Sequence, residues 1–238
     1  MQSIEFVYSL GSHKTIEVWE VIRHILVGHD GSDLLFMYGK EIKAAEIPMQ
    51  LKKSNGNSFN LESESYVIQM ATVTNYRHIV LQIDVKKNYE EKWWSEWVRE
   101  LIFLEGFVQA WLVDLEYNYW QNATDPIEYE SKGVSFDDLP MKSNGLPPPL
   151  EQTQIDTSAN PGLRKLCDGY VEAIGAHMWL SENFLNLVGK NIEGIERSSE
   201  FVVNRIDSSV YHLSCPGGVF VDGTTGEQQQ QLRSVLYE

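Results

Sequence analysis

Hydrophobic positions along the chain switch between a period of two and a period near 3.6. Alternation in "SIEFVYSL" predicts an opening strand. "SHKTIEVWEVIRHILVG" sets Ile16, Trp19, Ile22 or Arg23, and Leu26 at helical spacing, with Gly28 as the stop. "DLLFMYG" (33–39), "ESYVIQMATV" and the β-branched "RHIVLQIDV" (77–85) predict strands. Asn88 with Glu91 three residues later has the form of a capping box. Trp94, Trp97, Val98, Leu101 and Leu104 then form one buried helical stripe that Gly106 breaks. From Phe107 the period returns to two, which predicts a strand running to Tyr119. Its first half is apolar on both sides and therefore central. Its second half puts Asp114, Glu116 and Asn118 on one face and rings on the other.

Regularity fades over 121–165. "SNGLPPPLEQTQ" carries three consecutive prolines, which favour an extended segment. Nothing after it has the size of an independent core, so 121–165 is expected to be a loop within one domain spanning 1–238. In "LCDGYVEAIGAHMWL" (166–180) the second half favours a strand, followed by a short helix "SENFLNLVG" capped by Ser181. "EFVVNRI" and "SVYHLSC" predict strands, "PGGVFVDGTTG" turns, and "GEQQQQLRSVLY" a closing helix. Adjacent strands without helical crossovers predict an α+β fold: a single domain with a mostly antiparallel sheet packed against helices.

Composition alters this picture through charge. The chain has 238 residues and a formal net charge of −15. Such a field repels phosphate backbones and attracts a basic partner, so direct nucleic-acid binding is disfavoured. Solubility alone would also account for it. "MQSIEFVYSLGSHK" lacks the basic and apolar regions of a secretory leader, and no apolar run reaches the length of a membrane helix. The two cysteines, Cys167 and Cys215, fit a reducing compartment. The expected location is the cytoplasm, with no membrane association.

Candidate chemistry thins out on inspection. His24 and His29 do not share a helix face, and no HExxH, paired CxxC, nucleophile elbow or phosphate loop occurs. No metal, cofactor or catalytic residue is therefore assigned. Cys167 is expected to be a small buried hydrophobe. Glu41-Ile-Lys43, with Asp30 and Asp33 upstream, resembles a restriction-nuclease fragment, but "EEK" at 90–92 shows how often so short a pattern recurs. Asp114 and Glu116, two apart on a strand, would share a face as a catalytic pair or as a solvated face. Trp93, off the helical stripe, is the better candidate for an exposed or pocket-lining ring. Trp120, where the strand would meet the loop, suits a protein interface or local packing.

"GFVQAWLVDLEYNYWQN", then a long loop, then "GYVEAIGAHMWLSENFLNLVG", resembles the immunity proteins of bacterial polymorphic-toxin systems, specifically immunity protein family fifty-two. The resemblance extends over roughly 1–238, with those two segments distinctive. It implies a non-enzymatic protein that binds and neutralises a cognate toxin, of restriction-endonuclease-like class, delivered by contact-dependent secretion such as type VI. No toxin-contacting residue carries over from it. Asp114, Glu116, Trp120, Asp125, Glu128, Glu130, Asp137 and Asp138 form the expected partner-binding patch, as acids and a ring on one strand face and its adjoining loop. The main alternative is a hydrolase with an aromatic-lined cleft and paired carboxylates. A small-molecule or peptide-binding adaptor is a third reading, and the oligomeric state is left open.

Overall fold

The first strand, β1 (Gln2–Ser9), finds both of its neighbours far along the chain. On one edge it pairs with β6 (His78–Val85), Val7 opposite Val80. On the other it pairs with β7 (Phe107–Asp114), Ile4 opposite Leu112. The computed structural model describes residues 1–12, 15–29, 34–53, 58–86, 93–197 and 201–238. Between β1 and β6 lie α1 (Thr15–His29), β2 (Leu34–Met37), β3 (Lys40–Lys43), α2 (Ile47–Lys53), β4 (Ser58–Glu62) and β5 (Tyr66–Val73). Then come α3 (Ser95–Leu101), β7, α4 (Leu115–Asn122) and α5 (Pro126–Lys132). Two short hairpins follow, β8 (Met141–Ser143) with β9 (Thr153–Ile155), and β10 (Lys165–Cys167) with β11 (Tyr170–Glu172). The chain continues through β12 (His177–Ser181), α6 (Glu182–Val188), α7 (Ile192–Glu196), β13 (Val202–Arg205), β14 (Val210–Ser214) and α8 (Gly226–Tyr237).

Ten strands form one sheet in the order β13-β14-β12-β7-β1-β6-β5-β4-β2-β3. Every pairing among the described residues is antiparallel, and helices pack on the sheet, which is the α+β arrangement expected from the pattern of elements. Side chains alternate across each strand, so β1 sends Ile4, Phe6 and Tyr8 to one face and Ser3, Glu5 and Val7 to the other. The first face is covered by α1, α2 and α3, whose Trp19, Ile22, Leu51, Trp97 and Leu101 join its core. The second face is covered by α6, α7 and α8 over β7, β12 and β14, with Trp111, Met178, Phe184, Tyr211 and Leu232 in the core. Over β4, β5 and β6 the second face lies more open: Gln69 and Ala71 are exposed, Asn60, Val80 and Gln82 half-buried.

Local chemistry explains the helix ends. Ser181 Oγ accepts from the Phe184 amide at 3.2 Å and donates to the Val108 carbonyl at 2.9 Å, so the predicted cap of α6 also ties that helix to β7. Gly189 closes α6 in the left-handed region, φ 69°. Gly106 at φ 72° makes the predicted break, although the helix before it already ends at Leu101.

Several expectations need correction. The strand from Phe107 stops at Asp114 and does not run to Tyr119. Asp114 has extended dihedrals, and its Oδ1 accepts from the amides of Glu116 (3.1 Å) and Tyr117 (3.0 Å), so the chain turns into α4. Asp114 and Glu116 therefore do not share a strand face. Residues 121–165 are more regular than expected, holding the end of α4, α5 and the β8–β9 hairpin, with the three prolines in the hairpin loop. Gly28 lies inside α1 and does not stop it. Trp93 is buried, neither exposed nor pocket-lining, its Nε1 donating to Gln2 Oε1 at 3.0 Å, and Trp94 is the half-buried ring. The proposed box at Asn88 and Glu91, and Asp30 and Asp33, lie outside the described residues.

Gly175 is a point where the two segments that carry the resemblance pack closely. A Cβ there would stand 2.4 Å from the Leu112 carbonyl oxygen, a main-chain atom of β7 that cannot swing aside. Gly175→Ala is expected to lower stability by about 1–3 kcal/mol, as overpacking does. Gly28→Ala, in a helix with open space at its Cβ, should raise it by up to about 1 kcal/mol. Urea denaturation midpoints with unchanged slopes check both.

Candidate functional site

A broad, open cleft of about 840 Å³ lies on the open half of the second sheet face. Its floor is Ala71 and Val73 of β5 and Val80 of β6. One wall is the last turn of α4 and the start of α5, including Tyr119, Asp125 and Glu128. The other is Leu163, Arg164 and Leu166.

The walls are held by side-chain amides. Asn122 Oδ1 accepts from the Arg164 amide at 2.7 Å, and its Nδ2 donates to the Gly162 carbonyl at 3.2 Å. Gln121 Oε1 accepts from the Gly162 amide at 3.1 Å. From the other side Arg233 Nε donates to the Pro161 carbonyl at 2.8 Å, and its Nη2 donates to the Leu163 carbonyl. The irregular segment is thus clamped between α4 and α8.

Arg164 is the cation of the cleft, and Glu5 answers it from below. Arg164 Nη2 lies 2.7 Å from Glu5 Oε2, close but without the alignment of a good hydrogen bond. The guanidinium also sits 5.8 Å from the Trp111 ring centroid. Glu5 is buried on the central strand, and burial raises its carboxyl above the ordinary range, against the pull of Arg164; Asp84 adds to the rise.

The structure brings together some of the expected partner-binding residues and separates others. Asp125 and Glu128 both line the cleft, with Tyr119 donating its hydroxyl to Glu128 at 2.8 Å. That bond raises the Tyr119 phenol above its usual value. Trp120 packs instead on Tyr129, 4.5 Å between ring centroids, in a small cluster with Ala123, Ile155 and Phe136. Asp114 lies at the opposite end of α4, about 12 Å along the axis from its last residue. Glu116, Glu130, Asp137 and Asp138 are exposed and do not line the cleft. Tyr119, Arg164 and the β5–β6 floor were missed by sequence reasoning. One signal was present: "DPIEYESKG" carries Asp at the N-cap, Pro at the first helical position, Lys in the last turn and Gly after it, the signature of α5.

A second cluster joins histidines that lie 35 residues apart. His177 Nδ1 is 3.1 Å from His212 Nε2, and His212 stacks on Trp179 at 4.8 Å and 8°. Burial, then the adjacent His177, pushes His212 down to about 4. Among the described residues no group of three or more His, Cys, Asp or Glu is placed to hold a metal ion. Cys167 is half-exposed, not buried as expected, with Sγ 3.4 Å from Glu172 Oε1. No helix among the described residues is long and apolar enough to cross a membrane.

No family model matches the chain. The dermonecrotic toxin LsaSicTox-alphaIB2i of Loxosceles sabina is 33% identical over 70 residues, 29% of this chain. The chain thus aligns with 25% of the length of that curated relative. A T6SS protein of Pseudomonas aeruginosa, PA0821, has a similar solved structure, with TM-score 0.56 and 8% identity over 99% of this chain and 73% of its own. At that identity the likeness is one of fold.

Two titrations follow from these sites. Truncating one partner of a buried ion pair costs about 3–5 kcal/mol, so Arg164→Met is expected to destabilise strongly at pH 8. A raised carboxyl in the folded state takes up its proton before the unfolded chain does, so the loss should shrink at pH 5. For His212 the sign is opposite. The unfolded ring protonates near pH 6.5 and the folded ring only near 4. Stability is therefore lost as pH falls between those values, and His212→Phe should flatten that part of the profile. Urea titrations from pH 8 to 4 measure both effects.

Proposed function

We propose that this chain is a non-enzymatic immunity protein of a type VI secretion context, one that binds a cognate toxin and occludes its working surface. The observation that carries the reading is the fold likeness to the P. aeruginosa T6SS protein, which extends along 99% of the chain. The net charge of −15 supports the nature of the partner. A nuclease must be basic where it holds nucleic acid, and a strongly acidic protein is steered onto such a surface at rates that fall with salt. The cleft is consistent with recognition rather than turnover: Asp125 spends Oδ1 on the Ile127 amide at 2.9 Å, and Glu128 accepts from Tyr119. The hydrolase alternative rested on Asp114 and Glu116 sharing a strand face, and that pairing does not form. The proposed surface is the α4–α5 side of the molecule, with Asp125 and Glu128 at its centre and Glu116, Glu130, Asp137 and Asp138 around them. On this reading the protein acts in the cytoplasm.

The test is co-expression with the product of the neighbouring gene in a sensitive host. The wild-type chain is expected to restore growth and to co-purify with that product. Reversing Glu116, Asp125, Glu128, Glu130, Asp137 and Asp138 to Lys together should weaken the complex by at least about 100-fold and flatten its salt dependence, an effect of about 2.7 kcal/mol. A neighbouring toxin left unbound and unopposed by the wild-type chain overturns the reading. An unchanged salt dependence in the reversed variant moves the contact elsewhere.

A further inference from the structure

We propose that the cleft between α4–α5 and the 163–166 segment receives a short extended segment of a partner protein in which apolar and cationic side chains alternate. It rests on the toxin-binding reading for who the partner is, and on the cleft itself for the chemistry.

The cleft measures about 840 Å³ and is broadly open to solvent, a shape that suits a length of chain lying across it. Its floor is apolar and comes from Ala71, Val73 and Val80 on strands that are hydrogen-bonded on both edges. An incoming segment therefore cannot add as a strand here and has to dock through its side chains. Leu163 and Leu166 continue the apolar surface up one wall. On the opposite wall Asp125 and Glu128 present carboxylates at the rim.

Charge decides between occupants. Arg164 is the cationic residue that lines the cleft, and its guanidinium is engaged from beneath by the Glu5 carboxylate and the Trp111 ring. It is turned toward the sheet and does not cancel the rim acids. The site is thus apolar below and anionic above, within a chain whose net charge is −15. A phosphate-bearing or acidic ligand meets repulsion, and a purely apolar one leaves the rim acids without a counter-charge. A polyamine would satisfy the rim but waste the floor. Leu or Val side chains on the floor with Arg or Lys at the rim satisfy both, and Tyr119 offers a ring beside Glu128 for a guanidinium.

The experiment uses the full chain and the peptide acetyl-Leu-Arg-Leu-Arg-Leu-amide, titrated by calorimetry at about 0.15 M salt, where diffuse attraction is screened beyond about 8 Å. The double variant Asp125→Asn/Glu128→Gln removes the rim charge while keeping an Asn able to cap α5. Ala71→Trp plugs the floor. Asp137→Asn/Asp138→Asn removes the same charge outside the cleft. Thermal melts report folding, and the rim variant carries the test if Ala71→Trp does not fold. The expected result is binding weakened at least about tenfold by the rim and floor variants and less than about twofold by the outside pair. Spermine should bind at least about tenfold more weakly than the peptide. No peptide binding, equal loss in the rim and outside variants, or spermine binding as tightly as the peptide overturns the proposal. Protection by the Ala71→Trp chain against the neighbouring toxin overturns the cleft and leaves the immunity reading intact. Peptide binding by a wild-type chain that protects against nothing does the reverse.

Discussion

Strand β1 is buried on both faces and hydrogen-bonded on both edges, so each polar group it carries has to be satisfied by chain that arrives much later. Its edges wait for β6, about 75 residues on, and β7, about 105 residues on. Its one carboxylate, Glu5, waits for Arg164. Unpaired, that carboxylate would be a buried charge of high cost. The segment from Asn160 to Arg164 is held by Gln121, Asn122 and Arg233, which set Arg164 over Glu5. The irregular middle of the chain is therefore tied to the centre of the sheet, and the same tie raises one wall of the cleft.

The cleft itself follows from uneven cover. Three helices close the first sheet face over its N-terminal strands, and three close the second face over its C-terminal ones. Ten strands present more second face than α6, α7 and α8 can shield, and the part over β5 and β6 is left as a floor. The α4–α5 pair stands beside it because β7 ends at Asp114, whose carboxylate starts a helix at the point where continued alternation would have extended the strand. The Asp114 cap marks the point where the acids of this region pass from the sheet to helices beside it.

The fold likeness to a T6SS protein and the net charge of −15 carry different kinds of information. Likeness at 8% identity speaks to backbone architecture and is silent on which side chains make contact. The charge speaks to what kind of surface would be attracted and is silent on where. The cleft adds a local fact of its own: it sets a particular pair of acids, Asp125 and Glu128, over a particular apolar floor.

Periodicity and capping signals in the sequence were enough to determine most of the strands, the cap at Ser181 and the α+β class, because alternation and capping are local properties of a few residues. The central place of β7 was also legible, since its first half is apolar on both sides. The alternating rings of "LEYNYWQN" were misleading: a run that short fits either period, and the helix signal lay in Asp114 ahead of it and in "DPIEYESKG" after it. What the tertiary structure alone decided was proximity. Glu5 with Arg164, His177 with His212, and Asp125 and Glu128 over Ala71 and Val80 are pairings across tens to more than a hundred residues. No local pattern encodes them, because they arise from strand order and from which face of the sheet the helices leave uncovered.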